Sequence, residues 1–430
     1  MARSPLQPLR GTRDFHPEAL RTRSWLFAHF REVSRRFGFE EVDAPILESE
    51  ELFTRKAGEE ILDQLYHFEL HGRRMALRGE MTPSVARLAI ARAGALRLPL
   101  RWFMIGQNWR YERMTRGRRR EHYQWNVELI GEPGVSAEAE LIAAVFTLLD
   151  RLGLEPADVR MRVNSRALLE ELLQQGVLRA RPEVFAPLCV VVDKLDKIGS
   201  EAVVEQLCDP AGLVATSRGE AEEVVELLSV DSLEEMKERG RPDSAALADL
   251  DRLFELLAAY GISERVAFDA SVVRGLAYYT GVVFEAYDAE RKLRALCGGG
   301  RYDRLFETLG GPSLPAAGFG FGDETILELL GEKDRKPQLA RGLQDVVFPL
   351  SEGERPVAIA VATALRAEGR SVELVLGGGR PKRVLADAAR VGVERVILIG
   401  PEEIGRGVMR VRDLSAHKDT ELPLPALPRQ

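Results

Sequence analysis

The sequence predicts an α+β protein, with an antiparallel sheet that is interrupted by a helical insertion and followed by a small α/β domain. Short segments rich in aromatic and β-branched residues, separated by Gly, Pro and charged residues, occupy about residues 37–131 and return beyond about 264. Between them, from about 136 to 260, helix-forming residues recur at helical spacing. Beyond about 340, apolar strand-like runs alternate with helical segments, which favours a mostly parallel α/β sheet.

The elements follow in order along the chain. Residues 17–37 open with a proline, carry apolar residues at helical spacing and end before Gly38, which predicts an amphipathic helix. Strands follow, and we expect the helical insertion at about 165–245. The predicted domains are a body at 1–330, a charged linker at 331–343 and the α/β domain at 344–430.

Composition excludes several classes of protein. With 45% hydrophobic and 30% charged residues over 430 positions, the chain is expected to fold throughout, and its net charge of −7 gives no overall polyanion-binding signature. Cys189, Cys208 and Cys297 are too widely spaced for a disulfide framework or a zinc site, which indicates a reducing compartment. No segment approaches the roughly 20 apolar residues of a membrane helix, so we expect no membrane association and a cytoplasmic location.

Several catalytic motifs are also missing from the sequence. It contains neither the phosphate-binding G-x-x-x-x-G-K-[ST] nor the G-x-S-x-G of serine hydrolases, and its histidines lack metal-ligand spacing. The densest basic stretch is RYERMTRGRRR at 110–120. A solvated charge run is an even alternative on spacing alone. Arg110 and Glu112 are expected on one face of a strand, where opposite charges suit the anion and the polar ring of a nucleotide.

The chain resembles the histidyl-tRNA synthetase family in five ordered motifs. RYERMTRGRRREHYQWNVELIG, from 110, resembles motif 2 of class II aminoacyl-tRNA synthetases in its histidine-specific form. FGFEEVDAPILE at 37–48 resembles motif 1, and VVRGLAYYTGVVFE at 272–285 and CGGGRYDRL at 297–305 resemble the two histidine-specific motifs. GTRDFHP at 11–17 matches the N-terminal signature. The resemblance spans nearly the whole chain, and implies a class II catalytic domain with a C-terminal anticodon-binding domain.

The resemblance implies activation of L-histidine with ATP and its esterification to tRNA(His). The carboxylate of histidine attacks the α-phosphorus, so the enzyme supplies positioning and positive charge, here from Arg110 and Arg274. Glu80 and Thr82 are expected at the amino end of histidine, Gln124 near its carboxylate, and Glu128 with the two tyrosines around its ring. The histidine-binding residues implied are Glu80, Met81, Thr82, Arg110, Gln124, Glu128, Arg274, Tyr278 and Tyr279.

The resemblance also implies nucleotide and macromolecular contacts. Glu112 is expected at the adenine, Arg118 at the outer phosphates and Arg116 at the tRNA acceptor end. The ATP-binding residues implied are Arg110, Glu112, Arg118 and Thr325. ATP chemistry implies Mg²⁺, although no protein ligand for a metal can be named. Motif 1, with Pro45 in its strand, implies a homodimer.

Two residues depart from the family pattern. Thr325 stands where motif 3 commonly has an arginine that holds the γ-phosphate, and Ala277 stands where Arg-Gly-Leu-Asp has its acid. We expect Arg118 or Arg301 to compensate for the missing arginine.

Two other functions are compatible with parts of the sequence. One is the non-catalytic regulatory paralogue of ATP phosphoribosyltransferase, favoured only by Thr325 and opposed by the C-terminal domain and the motif around Arg274. The other is a nucleic-acid-binding module without catalysis, which leaves Glu80, Glu128 and the tyrosines unexplained.

Overall fold

The computed structural model describes residues 6–57, 59–114, 119–179, 181–275 and 278–425. They divide into two compact units, Met1–Lys336 and Pro337–Gln430, each with its own principal sheet and hydrophobic core.

The strands of the first unit form two sheets. In chain order they are β1 (Glu40–Glu41), β2 (Leu47–Ser49), β3 (His67–Leu70), β4 (Arg73–Leu77), β5 (Leu100–Trp109), β6 (Glu121–Ile130), β7 (Val159–Ser165), β8 (Val266–Phe268), β9 (Val282–Asp288), β10 (Cys297–Arg301) and β11 (Ala316–Gly322). The main sheet has the order β1-β5-β6-β11-β10-β9-β7-β8, and β2-β4-β3 form a small separate sheet. The main sheet is antiparallel except where β1 pairs with β5 and β7 with β8, which confirms the predicted fold class.

Thirteen helices lie among the described residues of this unit. They are α1 (Pro17–Arg36), α2 (Glu51–Ala57), α3 (Thr82–Ile90), α4 (Ser136–Arg151), α5 (Arg166–Gln175), α6 (Phe185–Val192), α7 (Leu195–Ile198), α8 (Ser200–Cys208), α9 (Arg218–Leu228), α10 (Leu233–Arg239), α11 (Ala245–Ala259), α12 (Leu305–Thr308) and α13 (Asp323–Glu332). Short 3₁₀ segments occupy Glu59–Gln64, Pro182–Val184 and Ser263–Arg265. The predicted helix at 17–37 is α1, which begins at a proline and gives way to Gly38 in the left-handed conformation (φ +71°).

The helical insertion comprises α5 to α11 and lies between two strands of the main sheet, β7 and β8. Serine side chains cap four of its helices by accepting a backbone N–H three residues further on; these are Ser165, Ser217, Ser232 and Ser244. The helical block expected from 136 to 260 was wrong in one respect, because it contains β7. That strand pairs with β9, 117 residues apart at Ser165↔Val282, and such a distant partner leaves no local signal.

The largest hydrophobic cluster packs on one face of the main sheet. Trp125 is fully buried on β6, stacks on Phe30 of α1 with ring centroids 5.2 Å apart, and donates through Nε1 to Ser34 Oγ at 2.9 Å. Val127 and Leu129 follow at alternate positions on the same face. The opposite face of β6 therefore presents Gln124, Asn126 and Glu128.

Two expectations about strand bounds were wrong. β5 ends at Trp109, so Arg110 and Glu112 lie beyond the strand, where the backbone N–H of Glu112 bonds back to the Arg110 carbonyl at 3.0 Å. Pro45 lies between β1 and β2 rather than in a strand, because a proline has no N–H to offer a ladder.

The second unit contains one five-stranded sheet. Its elements are β12 (Asp345–Pro349), α14 (Arg355–Ala367), β13 (Val372–Leu374), α15 (Pro381–Arg390), β14 (Arg395–Ile399), α16 (Pro401–Gly405), β15 (Val408–Asp413) and β16 (Lys418–Pro423), with a 3₁₀ segment at Glu352–Glu354. The order is β13-β12-β14-β15-β16. β13, β12 and β14 are parallel, but β14, β15 and β16 are antiparallel, so the expected mostly parallel sheet is only half parallel. The short connection between β15 and β16 permits only a hairpin.

No helix in the described parts of either unit is long and apolar enough to cross a bilayer. All three cysteines are free, with Cys189 and Cys297 buried, as expected from their spacing.

Candidate active site

Glycines form the floor of the candidate site. On β11, a Cβ added at Gly318 would collide with the Glu128 carboxylate, and one at Gly320 with the Gln124 amide. On β10, a Cβ at Gly298 would stand 2.5 Å from the guanidinium carbon of Arg274, and one at Gly300 would stand 3.0 Å from the Tyr279 ring. These glycines leave room for functional side chains to lie flat on the sheet, since any larger residue would displace them.

Polar side chains alternate along β6 above this floor. Gln124, Asn126 and Glu128 lie two residues apart and pair with Gly322, Gly320 and Gly318 of β11. Asn108 of β5, fully buried, donates through Nδ2 to Gln124 Oε1 at 3.0 Å. This row of side chains on β6 thus runs from the amide of Gln124 to the buried carboxylate of Glu128.

Glu128 is 1% exposed and is surrounded by donors. Its Oε1 accepts from Thr82 Oγ1 at 2.7 Å and Asn126 Nδ2 at 3.1 Å, and the Tyr302 hydroxyl donates to Oε2. Burial raises the pKa of Glu128 to about 7, although these three hydrogen bonds oppose the rise; the Glu80 carboxylate adds to it. This acid therefore titrates in the range of an imidazole.

Three tyrosines pack beside this acid. The ring centroids of Tyr278 and Tyr279 are 4.8 Å apart, and Tyr302 stands edge-on to Tyr278 at 5.6 Å. The Tyr278 hydroxyl donates to Glu80 Oε2 at 3.0 Å, so a second carboxylate borders the cluster. Burial raises the pKa of all three hydroxyls, which therefore stay protonated and able to donate.

Met81 and Thr82 join the site at the start of α3. Met81 is fully buried, and its side chain packs in the hydrophobic cluster that contains Tyr279 and Tyr302. Thr82 turns its hydroxyl to Glu128, and Pro83 fixes the first turn of the helix.

Arg274 lies on Gly298 and pairs with Glu285 of β9. Its backbone is in the left-handed region, at φ +61°, which costs a non-glycine residue of the order of 1 kcal/mol or more. Burial by itself would lower the pKa of Arg274, but the nearby Tyr279 hydroxyl, the Asp193 carboxylate and further tyrosines leave it raised. The guanidinium therefore keeps its charge while its carbon lies on the floor of the site.

Arg110 approaches from the end of β5. Its Nε donates to the Gly79 carbonyl at 2.9 Å, which fixes the side chain next to Glu80 and the start of α3. Burial and the charge of Arg110 lower the pKa of Arg294, which lies in the β9–β10 connection. Tyr287 on β9 acts in the opposite direction and raises the pKa of both Arg294 and Arg274. The end of β5 and the start of β10 lie at the same end of the sheet, because β6 and β11 pair antiparallel between them, so Arg110 and Arg274, which lies on Gly298, border that end.

The N-terminal segment is tied to this end of the sheet. Arg13 donates to Glu121 Oε1 at 2.7 Å and Asp323 Oδ2 at 3.2 Å, and Asp323 accepts from the Tyr123 backbone N–H at 3.0 Å. Burial raises the pKa of Asp323 to about 6, against the opposing charge of Arg13. Arg13 of the GTRDFHP segment thus links the start of β6 to the start of α13.

The expectation that Arg301 replaces the motif 3 arginine was wrong. Its guanidinium makes two 2.7 Å hydrogen bonds to the fully buried Glu138, and it also donates to the carbonyls of Glu132 and Gly134. A side chain with all its donors engaged inside the protein is not available to a phosphate. Thr325 is 7% exposed on α13, and Arg116, Arg118 and Ala277 lie outside the described residues.

Sequence reasoning missed Asn126, Tyr302 and Glu285, which bind Glu128 or Arg274. The period of two along β6 could have identified Asn126, and Tyr302 stands inside the CGGGRYDRL motif. Glu285 ends the VVRGLAYYTGVVFE motif, but nothing local marks it as the partner of Arg274. Within the described residues, no group of three His, Cys, Asp or Glu side chains could hold a metal ion.

Comparisons with known proteins agree on one family. A family profile described as histidyl-tRNA synthetase matches residues 11–326, and one described as an anticodon binding domain matches 344–429. The chain is 51% identical to the chloroplastic/mitochondrial histidine–tRNA ligase of Arabidopsis thaliana, over 97% of this chain and 85% of that one. It is 39% identical to the histidine–tRNA ligase of Opitutus terrae, over 97% and 96%. The fold is similar to that of a histidyl-tRNA synthetase from Nostoc sp. PCC 7120, with a TM-score of 0.77, 20% identity and coverage of 98% and 97%.

Proposed function

The chain belongs to the histidyl-tRNA synthetase family, and on that premise we propose how its own residues activate histidine and transfer it to tRNA. It is a histidine–tRNA ligase, a class II aminoacyl-tRNA synthetase that uses ATP. The observation that carries the assignment of the site is Glu128, a buried acid with a pKa near 7 inside a cluster of donors and aromatic rings.

Histidine binds with its imidazole against Glu128. The carboxylate accepts an imidazole N–H, and the hydroxyls of Tyr278 and Tyr279 border the ring. Glu80 and Thr82 receive the ammonium end, with the backbone of Met81 beside them, and Gln124 lies at the carboxylate. An analogue that cannot donate to Glu128 covers the carboxylate without replacing the lost imidazole hydrogen bond, so this arrangement discriminates against isosteres.

Arg110 and Arg274 stabilise the charge that develops when the histidine carboxylate attacks the α-phosphorus of ATP. No nucleophilic side chain is required, because the substrate supplies its own oxygen. Two guanidinium groups fixed before the reaction act without reorganisation in a partly buried site. The bond between the α-phosphorus and the bridging oxygen breaks, and pyrophosphate leaves with that electron pair.

Glu112 contacts the adenine, Arg118 the outer phosphates, and Thr325 borders the nucleotide. Mg²⁺ accompanies ATP, and the described residues hold no group of three His, Cys, Asp or Glu side chains that could bind it by themselves. Mg²⁺ commonly enters on substrate phosphates and keeps several waters, so it requires few protein ligands.

The second partner is tRNA(His). Residues 344–430 form the anticodon-binding domain, 331–343 the linker and 1–330 the catalytic domain, with the insertion at about 165–245. Arg116 contacts the acceptor end. The active molecule is a homodimer that contacts through motif 1, and the cytoplasm is its compartment, with an organelle as the alternative since the Arabidopsis relative is named chloroplastic/mitochondrial.

Histidine-dependent ATP–pyrophosphate exchange tests this assignment. The purified protein should exchange pyrophosphate with histidine and with none of the other amino acids, and should then charge tRNA(His). A regulatory paralogue would show no exchange, and a nucleic-acid-binding module would bind tRNA without it. Histidine-independent or absent exchange would exclude the proposed roles of these residues.

A further inference from the structure

Arg294 lies at the end of the main sheet where we place ATP. It belongs to the connection between β9 and β10, three residues before Cys297, which pairs with Phe321 of β11. The ladder continues one step further, since the Gly322 N–H donates to the Leu296 carbonyl at 3.1 Å. The two chain segments therefore leave the sheet at the same point, with Arg294 two residues before the bonded Leu296 and α13, which carries Thr325, starting directly after Gly322.

Three arginines at this end of the sheet are paired with carboxylates. Arg13 pairs with Glu121 and Asp323, Arg119 with Glu324 and Arg274 with Glu285. Within the described parts of the chain, neither Arg294 nor Arg110 has a carboxylate within ion-pair distance. Two cations thus border this end of the site without a direct ion pair to a carboxylate of the described residues.

The electrostatic environment of Arg294 is unfavourable as it stands. Burial lowers the pKa of Arg294 and the charge of Arg110 lowers it further, with only Tyr287 opposing them. Half-buried like charges repel each other more strongly than they would in water. A multivalent anion between them would remove this repulsion and accept charge-assisted hydrogen bonds from both guanidinium groups.

We propose that Arg294 binds the outer phosphates of ATP, in the role that an arginine at position 325 has in related synthetases. The inference rests on the proposed function, because Arg110 is assigned there to the α-phosphate, and a cation beside it reaches the phosphates that follow. Thr325 carries no charge, and Arg301 is fully engaged with Glu138. A phosphate of tRNA is the alternative anion, and the test separates the two.

The experiment compares Arg294→Ala with Lys292→Ala. Lys292 lies in the same connection and carries the same charge, but its side chain is 63% exposed and pairs with Glu290. In histidine-dependent pyrophosphate exchange, Arg294→Ala should raise the KM for ATP by about tenfold or more, since a charge-assisted contact contributes at least that much. The KM for histidine, and both KM values of Lys292→Ala, should stay within about twofold of the wild-type values.

Equilibrium binding isolates the outer phosphates. Arg294→Ala should bind ATP about tenfold more weakly, while its affinity for AMP and for a non-hydrolysable histidyl-adenylate analogue, which lack those phosphates, should be unchanged. An unchanged ATP affinity would overturn the inference. Equal weakening of ATP and the analogue would also overturn it, as would a defect confined to the KM for tRNA. Absence of exchange by the wild-type protein would instead count against the proposed function, and the binding measurements would still decide the role of Arg294.

Discussion

At the scale of single residues, Arg274 makes the most direct prediction. Arg274→Ala should lower the rate of histidine-dependent pyrophosphate exchange by about a hundredfold, because one preorganised charge at the reacting phosphate contributes roughly 3 kcal/mol. The KM for histidine should change much less than kcat. Arg252→Ala is the control, since Arg252 is exposed on α11 of the helical insertion, where it pairs with Glu255. Rates are measured under steady-state conditions, and a loss below tenfold would remove Arg274 from the catalytic role.

Glu128 predicts a pH dependence of histidine recognition. Below about pH 7 Glu128 loses its negative charge, and a neutral carboxyl group accepts an imidazole N–H more weakly than a carboxylate does, so kcat/KM for histidine should fall as the pH decreases. The imidazole of free histidine titrates in the same range, so Glu128→Gln is needed as the comparison. Its profile should have lower values throughout and should retain only the titration of the substrate. Identical profiles would mean that Glu128 does not titrate in the free enzyme.

Glu128 also predicts that the stability of the fold depends on pH in the opposite direction to kcat/KM, so that stability falls as the pH rises. The pKa of Glu128 is about 7 in the folded state, above the unfolded value of 4.5, so the folded state binds the proton more tightly. Stability from this group is therefore greatest below about pH 4.5 and is lost as the pH rises through 7, by on the order of 3 kcal/mol. Glu128→Gln should remove this loss and unfold at a higher temperature than the wild type at pH 8. Thermal denaturation at pH 5 and pH 8 measures the difference.

Arg301 predicts a loss of stability without a loss of ATP binding. Arg301→Met leaves the fully buried Glu138 carboxylate without its partner, which should cost about 3–5 kcal/mol in the free energy of unfolding. The double variant Arg301→Met/Glu138→Leu should lose less, because it buries no unpaired charge. Urea denaturation gives both values, and the KM for ATP of the folded variants should match that of the wild type.

At the scale of elements, the glycines of β10 predict an effect on the position of the Arg274 side chain. Gly298→Ala places a methyl group where the Arg274 guanidinium lies. The side chain can move aside at little cost, so the melting temperature should change little while exchange activity falls nearly as far as in Arg274→Ala. Gly322→Ala is the matched control, because a Cβ there meets nothing within 4 Å. Full activity of Gly298→Ala would show that the position of Arg274 is not set by the floor.

The elements also show what the sequence could reveal. Periodicity predicts α1, and composition predicts a strand in the stretch that forms β6, since both depend on neighbours along the chain. They miss β7, whose partner is β9, and the end of β5 at Trp109. The sequence likewise shows where the arginines stand along the chain but not which carboxylates they pair with. Arg301 is buried against Glu138, 163 residues away, whereas Arg294 has no carboxylate partner among the described residues, and only the fold separates the two.

At the scale of the whole molecule, the two units predict two unfolding events. The unit Met1–Lys336 and the unit Pro337–Gln430 each bury their own apolar clusters, so each can lose its structure while the other stays folded. Scanning calorimetry of the full chain should resolve two transitions, the smaller in enthalpy from the second unit because enthalpy scales with length.

Ligands assign the transitions to the units. A histidyl-adenylate analogue binds the site on the main sheet, so at a hundred times its Kd it should stabilise that unit by about 2.7 kcal/mol and raise only the larger transition. Asp345→Ala provides the reciprocal control, because it leaves Arg370 and Arg395 without their buried partner and should lower only the smaller transition. If the analogue and Asp345→Ala shifted the same transition, the units would unfold as one. In that case the two units on either side of residue 336 would be compact but would not be independently stable.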